Sequence, residues 1–267
     1  MALLMDLCTV ISEKFINQAI NLIQSYKILS YNQKVFVYYF NTSLDKLEIF
    51  SRLFGNQVTL LPVQKVCEHA FSPRIFFYKI YAINNCLKTH SEAMIYSDSA
   101  NCFISNATNI ESDLIDDSLF LSYPYEILTN QYWTTKKCFE IISAPLSEIM
   151  PQYWAGFQVY KRTDKNIALV DDLYKYMLNI DCAGPVTSIK NPDGPQSKCV
   201  EHRCDQSVLS ILIHKHNRHQ HFDVNKNNKY GDWQTLKSFD KNYNHDFNKM
   251  ILSPRESKFE SFRFLNV

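Results

Sequence analysis

The first hundred residues alternate between short apolar runs rich in branched and aromatic side chains and segments with helical spacing. That alternation constrains the fold more than any other feature of the chain. Residues 3–11, 35–40 (VFVYYF), 58–63 and 93–96 read as strands. Between them, 12–26, 44–54 and 73–87 read as helices: Phe15, Ala19, Ile20, Leu22 and Ile23 recur at helical spacing, Gly55 suits a helix stop, and Pro73 opens the third segment. A β-α-β-α-β-α-β order implies a mostly parallel sheet with helices on its faces. Ligands of such sheets bind beyond the carboxyl ends of the strands. Thr9 and Asp98 stand at two of those ends.

The rest of the chain is less regular. A strand is expected over 119–122 and another over 154–160, with helices over 134–142, 168–180 and 205–216. The segment CAGPVTSIKNPDGPQSKC (182–199) holds three prolines and two of the five glycines, and reads as a loop. Residues 1–221 are expected to form one α/β domain, and 222–267 a polar extension packed on it.

Composition narrows the class. At 267 residues, 46% hydrophobic and 14% aromatic, the chain supports a sizeable core and is unlike disordered sequences. A formal charge of +1 gives no overall footprint for nucleic acid. The eight cysteines include no CxxC pair, and free thiols in a reducing compartment are expected. The apolar start is interrupted by Asp6, too early for a secretory leader, and no run approaches membrane-spanning length. The expectation is a cytoplasmic protein, with a peripheral membrane position left open.

Five stretches carry candidate chemistry. In MIYSDSANCFI (94–104), Asp98 ends a strand among small side chains. It either caps the following turn or holds Mg²⁺ or Mn²⁺ and through it a diphosphate. In EHRCDQSVLSIL (201–212), Asp205 is a helix cap or a general base, with His202 and Arg203 beside it. In YWAGFQ (153–158), Ala155 and Gly156 permit close approach of a sugar, with Trp154 or Phe157 as an aromatic wall; a core strand with a packing glycine is the alternative. Arg74 and Lys79, five apart on one helix, either reach a phosphate or are solvated charges. His214, His216, His219 and His221 lack the spacing of known zinc motifs and read as a polar helix end, one of them remaining a possible second metal ligand.

The order of these pieces, LCTVIS, VFVYYF, MIYSDSA, WAGFQ and EHRCDQS, resembles the GT-A fold of nucleotide-sugar-dependent glycosyltransferases. The nearest likeness is to bacterial and viral glycosyltransferase-like domains with a D-x-D or D-S-S strand end and an H-R-x-D-Q-S helix. It spans roughly residues 3–216. It implies a Rossmann-like single domain that moves a sugar from a nucleoside diphosphate, UDP for example, to a hydroxyl of a glycan, protein or lipid-linked sugar. Thr9, with Cys8 and Val10, would line the base, and Arg74 and Lys79 would face the diphosphate or sugar. Asp98 would bind the metal, Ala155 and Gly156 would back the sugar, Trp154, His202 and Gln206 would meet the acceptor, and Asp205 would be catalytic. The usual second acid of D-x-D falls at Ala100. Asp98 then coordinates Mn²⁺ or Mg²⁺ with help from elsewhere, binds it weakly, or works without it.

Two rival readings remain. A nucleotidyltransferase or dinucleotide fold would show a glycine-rich phosphate loop, and LCTVISEKF has no glycine. A non-catalytic carbohydrate- or nucleotide-binding protein on a decayed glycosyltransferase scaffold is kept open by Ala100.

Overall fold

Four strands rich in branched and aromatic residues pair side by side and in parallel along one side of the main sheet. The computed structural model describes residues 5–29, 33–103, 107–122, 129–144, 150–185, 189–218, 222–223 and 251–252. Strand β1 (Asp6–Ile11) leads through a 3₁₀ turn at Glu13–Phe15 into α1 (Ile16–Leu29), followed by β2 (Val35–Tyr39), α2 (Leu44–Phe54) and β3 (Val58–Pro62). Next come α3 (Phe77–Asn85), β4 (Ala93–Ser97), the short β5 (Cys102–Phe103) and β6 (Ser118–Ser122). Helices α4 (Asn130–Trp133) and α5 (Lys136–Ile142) precede β7 (Tyr153–Lys161), α6 (Asp164–Met177), α7 (Ile180–Ala183) and α8 (Asp205–Lys215). The described chain closes with β8 (Phe222–Asp223) and β9 (Ile251–Leu252).

The main sheet has the order β3-β2-β1-β4-β7-β6-β8. Strands β1 to β4 are mutually parallel, and β7 runs antiparallel to both β4 and β6. The mostly parallel α/β sheet flanked by helices agrees with the sequence reading. Of residues 222–267, the described pairs 222–223 and 251–252 lie beside β6 and β5 respectively.

Alternation along the strands builds two cores. Cys8, Val10, Phe36, Tyr38, Met94 and Tyr96 face α3, α6 and α8. Leu7, Ile11, Val35, Val37 and Ile95 face the other way, packing with residues of α1 and α2 such as Leu22, Ile23, Leu47 and Phe50. Helix α6 shows the logic locally. Thr163 caps it by accepting from Asn166 N–H, and Leu169, Val170, Leu173 and Met177 recur on its buried face.

Three local departures matter for the site. The expected helix over 73–87 begins only at Phe77, because Phe76 adopts a left-handed backbone (φ 61°) and turns the chain there. Along β7 the core-facing parity switches at Gly156: Tyr153 and Ala155 share one core with Tyr160, whereas Trp154 shares the other with Phe157 and Val159. The register against β6 shifts in the same region, between Phe120 and Ser122, as at a β-bulge. At the start of the expected 182–199 loop, residues Ile180–Ala183 form a helical turn that packs on α5, where the Cys138 and Cys182 thiols share a hydrogen bond at 3.4 Å and form no disulfide. All eight cysteines are free. Among the described residues, no helix is long and apolar enough to cross a membrane.

Candidate functional site

The carboxyl ends of β1, β2 and β4 open into one cleft of about 620 Å³. Val10 near the end of β1 and Ser12 after it approach the cleft, with Phe40 and Asn41 after β2 and Asp98, Ser99 and Ala100 after β4. This is where a parallel sheet presents ligand sites.

The turn after β4 explains why Asp98 points outward. Its own N–H donates to the Gly156 carbonyl at 2.9 Å, and its carbonyl accepts from Asn101 N–H at 2.9 Å. Asn101 locks the arrangement by donating from Nδ2 to Ser97 Oγ (3.0 Å) and to the Gly156 carbonyl (2.9 Å). Backbone and Asn101 therefore make the turn, and the Asp98 carboxylate is left for other partners. Its Oδ1 accepts from Tyr96 Oη at 2.8 Å and pairs with Lys79 Nζ at 3.1 Å.

Lys79 is the centre of the cluster. Its side chain is 6% exposed, and its ammonium meets Asp205 Oδ2 at 2.8 Å, Asp98 Oδ1 at 3.1 Å and the Ala155 carbonyl at 3.4 Å. The Phe76 and Tyr96 rings flank it at 5.2 and 5.7 Å. Burial works against the charge, but Asp205 and then Asp98 outweigh it and hold Lys79 above the usual lysine range. Asp205, with its side chain 5% exposed, is pushed the other way by burial, to a pKa above the ordinary carboxylate value despite Lys79 beside it. Asp98, 40% exposed, is the member that faces solvent.

Two non-glycine residues with positive φ introduce the helices that carry this pair. Phe76 (φ 61°) precedes α3 and Lys79, and Cys204 (φ 46°) precedes α8 and Asp205. Such conformations cost about 1–3 kcal/mol each and persist where surrounding structure fixes them.

An aromatic cluster lines the same cleft. Phe40 stacks on Tyr78 with ring centroids 4.3 Å apart and on Phe71 at 5.5 Å, and all three line the cleft. The dense aromatics of VFVYYF and AFSPRIFFY were the available signal for it, but nothing local showed that the two segments meet.

The other candidates fall elsewhere. Thr9 is fully buried behind the cleft, donating from Oγ1 to the Ser97 carbonyl at 2.8 Å, and Cys8 lies in the core; Val10 alone of the three lines the cleft. Arg74 is taken up by Glu201 at 2.7 Å and is absent from the lining. Trp154 is no cleft wall: it is 5% exposed and stacks on Phe157 in the core on the α1 side. His202 is 1% exposed, with Nδ1 accepting from Thr135 N–H at 3.2 Å; burial pushes its pKa down to about 4, so it is a neutral structural post and not an exposed acceptor contact. Gln206, half-buried, donates to Gln152 Oε1 at 3.1 Å. Ala155 contributes its carbonyl to Lys79, and Gly156 backs Asp98. His214 packs on the Tyr153 ring and His216 pairs with Asp172 at 2.9 Å. His219 and His221 lie outside the described residues.

The described residues around Asp98 do not by themselves make up a divalent-cation donor set. Among the described residues no three Asp, Glu, His or Cys side chains converge as ligands. The position two beyond Asp98 is Ala100, and Asp98 Oδ1 is already engaged by an ammonium and a phenol.

Comparison with known proteins gives no matching family model and no matching curated protein. Among solved structures, the chain is similar to the bifunctional glycosyltransferase WbbM in its apo form, at 10% identity and a TM-score of 0.48, covering 78% of this chain and 37% of that one. It is similar to an active-site mutant of LgtC at 12% identity and a TM-score of 0.45, covering 59% of this chain and 57% of that one. It is also similar to the galactosyltransferase LgtC in complex with donor and acceptor sugar analogues, at 12% identity and a TM-score of 0.45, covering 78% and 70%. The chain thus spans less than two thirds of the length of the first two.

Proposed function

We propose that the cleft binds a nucleoside-diphosphate sugar and that the protein transfers the sugar to an acceptor hydroxyl. One observation carries the reading: an aromatic stack and a half-exposed carboxylate, held by a buried lysine, share one cleft at the carboxyl ends of three parallel strands. Tyr78 and Phe71, backed by the buried Phe40, supply aromatic surface for a flat base. Asp98 is placed to accept hydrogen bonds from sugar hydroxyls, while Lys79 and Tyr96 fix its orientation. Lys14 at the cleft rim offers a charge for phosphate.

Little covalent work is asked of the protein. The bond from the anomeric carbon to the diphosphate oxygen breaks, and a bond to the acceptor oxygen forms. The hydroxyl proton leaves with the released diphosphate. Holding donor and acceptor in register supplies most of the rate. Asp205, buried on Lys79, acts in this reading by positioning Lys79 and, through it, Asp98.

Ala100 favours a second reading, a binding protein that keeps the cleft without turnover. Calorimetry with UDP-glucose, UDP-galactose and GDP-mannose, followed by an assay for release of the nucleoside diphosphate, separates the two. Binding with slow release supports the transferase. Binding with no release leaves the binding protein, and no binding of any donor removes both.

A further inference from the structure

We infer that Lys79 is the cation that serves Asp98, so that the cleft takes its ligand without a divalent metal ion; this rests on the nucleotide-sugar reading above. Asp98 and Asp205 are separated by 107 residues in sequence, yet both reach one ammonium, at 3.1 and 2.8 Å. A metal bridging these two acids would need the space that Nζ fills. Displacing Lys79 would leave a buried ammonium with only the Ala155 carbonyl, a costly arrangement for a side chain 6% exposed. Among the described residues, a metal held by Asp98 Oδ2 would have a single carboxylate oxygen, because the position of the next acid of the motif is Ala100.

Charge balance says which part of the ligand lies here. One ammonium sits between two carboxylates, leaving a net negative charge when both acids are ionised. That suits hydroxyl donors of a sugar and repels phosphate oxygens. The diphosphate is then assigned to Lys14, the other lysine lining the cleft. Lysine thus does the neutralising that a metal would do between two acids, and does it from within the fold.

Electron paramagnetic resonance of Mn²⁺ mixed with the full chain, with no nucleotide present, tests the assignment directly. The wild type is expected to leave the free-ion signal unchanged. Lys79→Met frees both carboxylates and is expected to gain Mn²⁺ binding, which adding Asp98→Asn removes. UDP affinity in the wild type is expected to agree within about twofold between EDTA and Mn²⁺. Mn²⁺ uptake by the wild type, UDP binding strengthened about tenfold or more by Mn²⁺, or a folded Lys79→Met that gains no Mn²⁺ would each overturn the inference. Loss of cooperative melting in Lys79→Met leaves the wild-type measurements to decide. Failure of UDP to bind sinks the nucleotide reading, and the Mn²⁺ signal still judges the role of Lys79.

Discussion

A Cβ atom added to Gly156 would lie 2.7 Å from Asp98 Oδ2, and the same Gly156 accepts the Asp98 N–H through its carbonyl at 2.9 Å. The glycine therefore both anchors the turn and leaves room for the carboxylate. The Trp154 indole nitrogen, 2.6 Å from that added atom, closes the other side. Gly156→Ala must move one of the two, and the half-exposed Asp98 is the freer. Destabilisation of about 1–3 kcal/mol is expected from overpacking, together with weakened UDP-glucose binding. Thermal melting and calorimetry check both. An unchanged affinity would show that the position of Asp98 does not govern the ligand.

The aromatic wall predicts a selective loss. Tyr78→Leu removes the ring that stacks on Phe40 at 4.3 Å while keeping bulk in the cleft. Affinity for UDP should fall by about 1–3 kcal/mol, the range for base–aromatic stacking. Affinity for free glucose should be unaffected. Equal losses for nucleotide and sugar would place the base elsewhere.

His202 sets a pH dependence of stability. Its folded pKa is pushed down to about 4, mainly by burial, against an ordinary value near 6.5. The unfolded chain therefore takes up this proton first as pH falls. The stability linked to His202 is fully present above about pH 6.5 and drains away toward pH 4, by up to roughly 3 kcal/mol. His202→Asn, which can still accept from Thr135 N–H, should flatten the acid limb of a urea-denaturation series over that range. An acid limb identical to wild type would assign it to other groups.

The sheet was legible because strand and helix patterns recur strictly over the first hundred residues, and burial on both faces enforces them. Asp98 at a strand end followed from the same order. Which charges form the site did not. Arg74 and Lys79 look alike on one segment, and only distant partners separate them: Glu201, 127 residues on, takes Arg74, while Asp205 and Asp98 take Lys79. Trp154 read as a wall because the parity switch at Gly156, which turns it into the core, depends on a bulge with no local signature beyond the glycine itself. His202 carries charge-site chemistry in sequence, but the fold packs it so tightly against Gly184 that a Cβ there would lie 2.1 Å from its ring.

Calorimetric titration of UDP and UDP-glucose into the wild type and Asp98→Asn tests the central claim most directly. The reading predicts that both proteins bind UDP alike, and that the extra affinity conferred by the glucose moiety disappears in Asp98→Asn. Retention of that extra affinity in the variant, or no binding of either ligand to the wild type, would contradict it.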